Sequence, residues 1–346
     1  MVQVLKTILL TPLSWLYGLV VFVRNELFDE HILPSHTVTV PTICVGNLAV
    51  GGTGKTPHVE YLLRLLKDRY TVAVLSRGYG RKTHGFVLAD ADSTALQIGD
   101  EMAQLHSKFP DVAMAVCADR VRGVRRLQQA VPGLQLVILD DAYQHRRLRC
   151  GFYLLLTPYD RLYVHDHLMP RGRLREPAYN SLRAHAIVVT KCPDTMRPID
   201  KRVVDNSLRL PSFQQLYFSR ICYGELQLTG TPLILTGIAH PEYMVEYVRK
   251  TYPQAPHLSY GDHHRFTPRE LEAIERQAEP YSCVLTTEKD YARLNSLALS
   301  ETLRKKLTVL PIEIELPDDR EAFERQINTY VLESVRRAGL TKKNNA

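Results

Sequence analysis

The chain has 346 residues, 45% of them hydrophobic, which is ample for a packed core in one large or two ordinary domains and excludes a disordered polymer. Its six cysteines, Cys44, Cys117, Cys150, Cys192, Cys222 and Cys283, make no C-x-x-C pair, so neither a zinc knot nor a disulfide framework is indicated and they read as reduced thiols. The net charge of +7 sits in arginine clusters (Arg77/Arg81, Arg120 to Arg126, Arg146 to Arg149, Arg171 to Arg175) rather than in a tail, a pattern that favours a phosphorylated ligand over nucleic acid, for which no recognised module is present.

The first predicted element is a helix over 12–28, with Thr11 as N-cap and Pro12 at the first helical position. Its unbroken apolar run, Trp15 to Val23, is far shorter than the roughly 20 residues a membrane-spanning helix needs, and no signal-peptide cleavage pattern follows. The remaining choices are a buried helix or one lying in a bilayer interface, where Trp15 and Tyr17 suit the headgroup level; the second is preferred, with residues 1–30 as an amphipathic membrane-associated segment. Lys6 and Arg24 stand against Glu26, Asp29 and Glu30, so no polybasic patch forms near the helix and apolar insertion would dominate the contact.

Short apolar runs then alternate with helical patterns: TICVG, a helix over 57–69, TVAVLS, VAMAV, a helix near 119–130, LQLVILDD, FYLLL and AIVVTK. This is a βαβ rhythm, and runs that are continuously apolar suit a mostly parallel sheet covered on both faces. The fold class expected is α/β, a P-loop NTPase-like α/β/α sandwich over 31–212. A second, smaller α/β domain is placed at 230–306, reached by a connector strand in 213–229 and left by a returning strand in 307–318. A helix over 319–340 and a disordered tail, 341–346, complete the chain.

The stretch Val45-Gly46-Asn47-Leu48-Ala49-Val50-Gly51-Gly52-Thr53-Gly54-Lys55-Thr56 runs from a strand into a helix, the setting of a phosphate-binding loop. Glycines let the main-chain N–H groups of Gly51, Gly52, Thr53 and Gly54 approach phosphate, Lys55 neutralises β- and γ-oxygens, and Thr56 is placed to ligate Mg²⁺. Ala49 occupies the first-glycine position of the usual spacing, so the loop opens differently from common NTPases. The strand Leu136 to Leu139 ends in Asp140 and Asp141, at the sheet edge where ligands gather, which makes both Mg²⁺ candidates; the bland reading is a pair capping the next turn.

With these elements the chain resembles the tetraacyldisaccharide 4'-kinases. The matching stretches are VGNLAVGGTGKTP, LSRGYGR (75–81), GDE (99–101), DDAYQHR (140–146), GRLREP (172–177), LTGIAHPEY (235–243), GDHH (261–264) and TTEKDYARL (286–294), in order along nearly the whole chain. Ala142 stands where the family often has glycine, and 159–172 differs from the common version.

The resemblance implies transfer of the ATP γ-phosphate to the 4'-hydroxyl of tetraacyldisaccharide 1-phosphate, with Mg²⁺, forming lipid IVA for lipid A synthesis. It also implies two α/β/α domains joined by a β-ribbon, a peripheral position on the cytoplasmic face of the bacterial inner membrane, and no obligate protein partner. By the same resemblance Asp100 is the catalytic base, His263 its partner and Asp262 lies beside them, while Glu101 and Glu176 are further carboxylates for the metal or its waters. Arg77, Tyr79, Arg120, Gln144 and His145 fall at the acceptor's sugar and phosphate end. Read from the residues alone, Gly99-Asp100-Glu101 is equally a helix start, His263 a surface histidine, Glu176 a partner of Arg175, Arg120 a partner of Asp119, and Tyr79 a half-buried core aromatic.

Two rival readings remain. A nucleotide-switched P-loop ATPase scaffold at the membrane would share the loop and the first helix but lack a sugar-lipid acceptor. A metal hydrolase would use His165, Asp166, His167, Asp262, His263 and His264, leaving the P-loop without a role. Thr190-Lys191 ends a strand as base-reading loops do, but the expected aspartate is displaced to Asp194, so guanine recognition is not indicated.

Overall fold

The computed structural model describes residues 2–262 and 264–339, with side chains from Leu9 onward; the predicted tail 341–346 and His263 lie outside the described residues. Helix α1 spans Val2–Asp29, so Pro12 lies inside it rather than at its first position. An interior proline removes one i→i−4 hydrogen bond and crowds the carbonyl four residues before it, at a cost of about 3 kcal/mol, yet α1 runs through it. Ser14, Val21, Asn25 and Phe28 are buried at helical spacing, and Gly18 belongs to the same stripe because a Cβ there would come within 2.8 Å of Leu168.

A large sheet follows. Its strands are β1 (Thr42–Asn47), β2 (Val72–Ser76), β3 (Val87–Leu88), β4 (Ala113–Val116), β5 (Leu136–Asp140), β6 (Phe152–Pro158), β7 (Ala186–Thr190) and β8 (Gln215–Phe218). They are ordered β3-β4-β2-β5-β1-β6-β7-β8, parallel throughout except for the short β3. Strand alternation sends Ile43, Val45, Leu136 and Ile138 to one face, and Cys44, Val137 and Leu139 to the other. On the first face pack α2 (Lys55–Leu66), through Val59, Leu62, Leu63 and Leu66, and α4 (Asp100–Lys108), which follows the one-turn α3 (Ala95–Ile98). The second face takes α5 (Arg120–Ala130), through Val121, Val124 and Leu127, and α6 (Pro198–Leu208). Both faces are therefore covered, as a parallel sheet requires.

A short β9 (Arg220–Tyr223) leads to a second sheet of β10 (Leu233–Thr236), β11 (His257–Ser259), β12 (Val284–Thr287) and β13 (Leu307–Leu310), parallel and ordered β11-β10-β12-β13. Helices α7 (Glu242–Thr251), α8 (Pro268–Ala278), α9 (Glu288–Asn295) and α10 (Glu301–Lys306) flank it. The return strand β14 (Ile312–Glu315) pairs antiparallel with β9, and α11 (Arg320–Arg337) lays Phe323, Ile327, Val331 and Val335 into the first face of the large sheet. The extended segments thus divide their pairing: Gln215–Phe218 is the edge of the large sheet, Leu307–Leu310 the edge of the small one, and only β9 and β14 form the two-stranded link. Which edge an extended segment joins depends on backbone partners distant in sequence, so the local pattern reads all of them as connector.

Candidate active site

The loop after β1 runs into α2 at the carboxyl edge of the sheet, beside the central pair β1 and β5, where crossovers leave in opposite directions and a crevice opens. Gly51 and Gly54 have φ of 111° and 86°, left-handed values that favour glycine and direct main-chain N–H groups inward. The bend is held from outside. Asn47, fully buried, donates through Nδ2 to the Ala49 carbonyl (2.6 Å) and the Thr53 hydroxyl (3.0 Å), and Thr190 Oγ1 donates to the Thr53 carbonyl (2.9 Å). Val50 N–H donates to Arg173 O and Arg175 N–H to Leu48 O, at 2.8 and 2.7 Å, so the GRLREP stretch splints the loop's opening, where Ala49 replaces the usual glycine.

Lys55 begins α2 and its Nζ lies 3.9 Å from Asp141, which Arg175 also grips at 2.8 Å. Burial opposes ionisation of Asp141, but Lys55 and Arg175 outweigh it and hold the carboxyl at about 2. Asp140, aligned with Val45 of β1, is fully buried, and among the described residues neither of its carboxylate oxygens has a hydrogen-bond partner. Burial first, and then Glu101, push its carboxyl up to about 8. An orphaned carboxylate at the mouth of a phosphate loop fits a divalent cation: Asp140, Asp141 and Thr56 would hold it, and it would neutralise charge on the β- and γ-phosphate oxygens.

Glu101 joins this group electrostatically from the first turn of α4. Glu176 is buried, with Oε2 paired to Arg183 at 2.6 Å rather than to Arg175, and it acts electrostatically on Tyr17 and Arg24 of α1; among the described residues its Oε1 has no hydrogen-bond partner. Asp100, at the start of α4, lies 2.6 Å from Arg293 Nε. Asp262 pairs with Lys289 at 3.2 Å.

The acceptor candidates converge in part. Arg120 is buried, and instead of pairing with Asp119 it donates through Nη1 to the Cys117 and Ala118 carbonyls and through Nη2 to the Asp141 carbonyl (3.2 Å). Asp119 is occupied as the N-cap of α5, accepting from Arg122 N–H. His145 Nε2 accepts from Arg120 N–H at 3.3 Å, and Gln144 Nε2 donates to Asn47 O at 2.9 Å. Arg77 and Tyr79 stand exposed on the loop after β2; at 70% accessibility Tyr79 is no core aromatic.

Sequence reasoning passed over Asn47, Arg175, His240 and Arg293. All four sat inside the matching stretches, but their roles depend on contacts across the fold. His240, from the loop after β10, comes close to the P-loop: a Cβ on Gly52 would lie 3.7 Å from its ring. Of the rival hydrolase cluster, Asp166 binds the His167 and Arg173 N–H groups while His264 pairs with Glu270, and among the described residues no group of three or more such side chains could hold a metal.

A doubly covered, mostly parallel sheet, a lysine-bearing phosphate loop and a paired-aspartate strand end define a P-loop kinase. Residues 6–332 match the tetraacyldisaccharide-1-P 4'-kinase (LpxK) family, and the chain belongs to it. It is 44% identical to the tetraacyldisaccharide 4'-kinase of Bacteroides thetaiotaomicron, with 97% of this chain and 96% of that one aligned, and 45% identical to that of Parabacteroides distasonis over 90% and 91%. The fold resembles the crystal structure of LpxK from Aquifex aeolicus in complex with ATP, with a TM-score of 0.73 and 27% identity, covering 96% of this chain and 100% of that one.

Proposed function

We propose that the chain carries out its family's reaction by direct in-line transfer, with Asp100 as base, from the surface of a membrane. The reaction is ATP-dependent: the γ-phosphate passes to the 4'-hydroxyl of tetraacyldisaccharide 1-phosphate, giving lipid IVA and ADP in lipid A biosynthesis. Amides of Gly51 to Thr56 and the Lys55 ammonium hold the triphosphate and take up charge on the transferring group. Asp100, with His263 as its partner, accepts the hydroxyl proton as the new O–P bond forms and the bond to the β-phosphate oxygen breaks. Arg120, which donates to the Asp141 carbonyl, and His145, which accepts from the Arg120 N–H, orient the acceptor. The observation that carries this reading is the juxtaposition of Lys55, Asp141 and the orphaned Asp140, with the first turn of α4 facing them.

The membrane part rests on α1. Its outward face exposes Leu13, Trp15, Leu16, Leu19, Val20 and Val23, far more apolar surface than scattered exposed residues would give. The inward face is tied to the site loops: Ser14 Oγ donates to Leu168 O (2.7 Å), Tyr17 Oη to Arg175 O (2.9 Å) and Arg24 Nη2 to Gln144 O (3.0 Å). No helix among the described residues is long and apolar enough to cross a membrane, so α1 would lie in the interface, on the cytoplasmic face of the inner membrane, and bring lipid acceptors to the site from the side.

The test is incubation with detergent-dispersed tetraacyldisaccharide 1-phosphate and Mg-ATP. The expected product is a lipid heavier by one phosphate, nearly abolished by Lys55→Ala and by Asp100→Ala. ATP hydrolysis without a phosphorylated lipid would refute the reading in favour of a nucleotide-switched scaffold.

A further inference from the structure

The small sheet meets the large one mainly along α9 and α4, and the contact is polar. Gln104 Nε2 donates to both Glu60 and Glu288 at 3.1 Å, and Lys108 bridges the same two carboxylates. One contact in this seam reaches the proposed base. Arg293 of α9, only 7% exposed, donates through Nε to Asp100 Oδ2 at 2.6 Å. Its Nη1 donates to Gly237 O and to Asp290 Oδ1, both at 2.9 Å.

The far end of this chain is rigid. Asp290 is fully buried, and its Oδ2 accepts from Gly237 N–H and from Thr287 Oγ1, both at 2.8 Å. Gly237 leaves β10 at the root of the loop that carries His240 toward Gly52. A Cβ on Gly237 would stand 3.0 Å from Asp290 Oδ1, so that carboxylate fits tightly against the backbone at this point. A planar guanidinium fixed on one edge by a carbonyl and a carboxylate presents Nε in a set direction, which a flexible ammonium would not do.

We infer that Arg293 is a positioning residue for the phosphoryl transfer: it is the strap by which the small sheet, when seated, fixes the plane of the Asp100 carboxylate for the acceptor hydroxyl. The same side chain touches the base and the root of the His240 loop, so closure over the P-loop and presentation of the base are one event. A base displaced by an ångström loses much of its effect even when both substrates bind. The inference rests on Asp100 being the base.

The experiment measures kcat and the KM of each substrate for Arg293→Ala, Arg293→Lys and Asp100→Asn, and for Asp100→Asn combined with Arg293→Ala. Arg293→Ala is expected to lower kcat about 100-fold, the scale of one misplaced acid–base group, with the KM for Mg-ATP changed by less than about threefold. Arg293→Lys keeps the charge and one donor and should recover about tenfold of that loss. The double variant should be no slower than Asp100→Asn alone, because the two residues act through one group. Losses that multiply in the double variant, or a loss confined to KM, overturn the inference. A fully active Asp100→Asn with an impaired Arg293→Ala instead removes Asp100 as base. If Arg293→Ala fails to fold by thermal melt, Arg293→Lys carries the test: a kcat about tenfold below wild type with an unchanged KM for Mg-ATP supports positioning by the planar fork, and a kcat within twofold of wild type or a loss confined to KM refutes it.

Discussion

Gly99 decides where Asp100 points, and its replacement by alanine is the sharpest perturbation the structure offers. Its backbone, φ 86° and ψ 156°, lies in a region essentially reserved for glycine, and forcing another residue there costs about 1–3 kcal/mol. A Cβ would stand 2.8 Å from the Tyr79 carbonyl and 3.2 Å from the Gly78 carbonyl carbon, backbone atoms that cannot rotate aside. Overpacking of this kind adds about 1–3 kcal/mol, for a total near 4 kcal/mol if nothing moves. The cheapest relief is to shift the start of α4 away from the 77–80 loop, which carries Asp100 off its mark. Gly99→Ala is therefore expected to lower the urea midpoint and to cut turnover by more than about tenfold. Gly133→Ala is the control for stability: it also has positive φ (68°) but has nothing within 4 Å of the new Cβ, so it reports backbone strain alone. Urea unfolding and lipid phosphorylation of the same preparations decide the matter. A Gly99→Ala enzyme with wild-type turnover and no more destabilised than Gly133→Ala would refute the steric argument.

On α1, Trp15→Glu with Leu19→Glu should abolish flotation with liposomes yet change the free energy of unfolding by no more than about 0.5 kcal/mol, since both side chains are exposed; unchanged flotation would defeat the interfacial helix. Burial, reinforced by Arg120, lowers His145 to about 4. The unfolded chain therefore takes up its proton first, and the stability that neutral His145 confers is full above about 6.5 and is lost as pH falls through about 4. A His145→Gln variant should lose less stability over that window in urea titrations, and an unaltered pH dependence would contradict the assignment. Asp140→Asn should reduce turnover at least about 100-fold while leaving metal-free stability equal or higher, because it removes a buried carboxylate without a hydrogen-bond partner; a destabilised but active variant would show that Asp140 is structural.

Much of the site is carried by local pattern. Gly51 to Thr56 and the strand ending in Asp140 were legible because a phosphate loop needs particular residues at consecutive positions, and apolar runs such as Leu136 to Leu139 announce a sheet buried on both faces. That Glu176 pairs with Arg183 rather than with its sequence neighbour Arg175 was not legible, because only the backbone path beneath α1 separates the two arginines. The start of α1 was misjudged because a proline near a helix signal looks the same inside the first turn as beyond it.

Sequence alone determined the chemistry that adjacent residues can supply: a helix start with amides for phosphate, a lysine to neutralise it, and acids at a strand end. Tertiary structure alone decided which charges meet. Asp100 and Arg293 are separated by almost two hundred residues, as are the small sheet's loop and the P-loop it approaches. Such contacts follow from how two sheets dock through a polar seam, and no periodicity within either segment encodes that geometry.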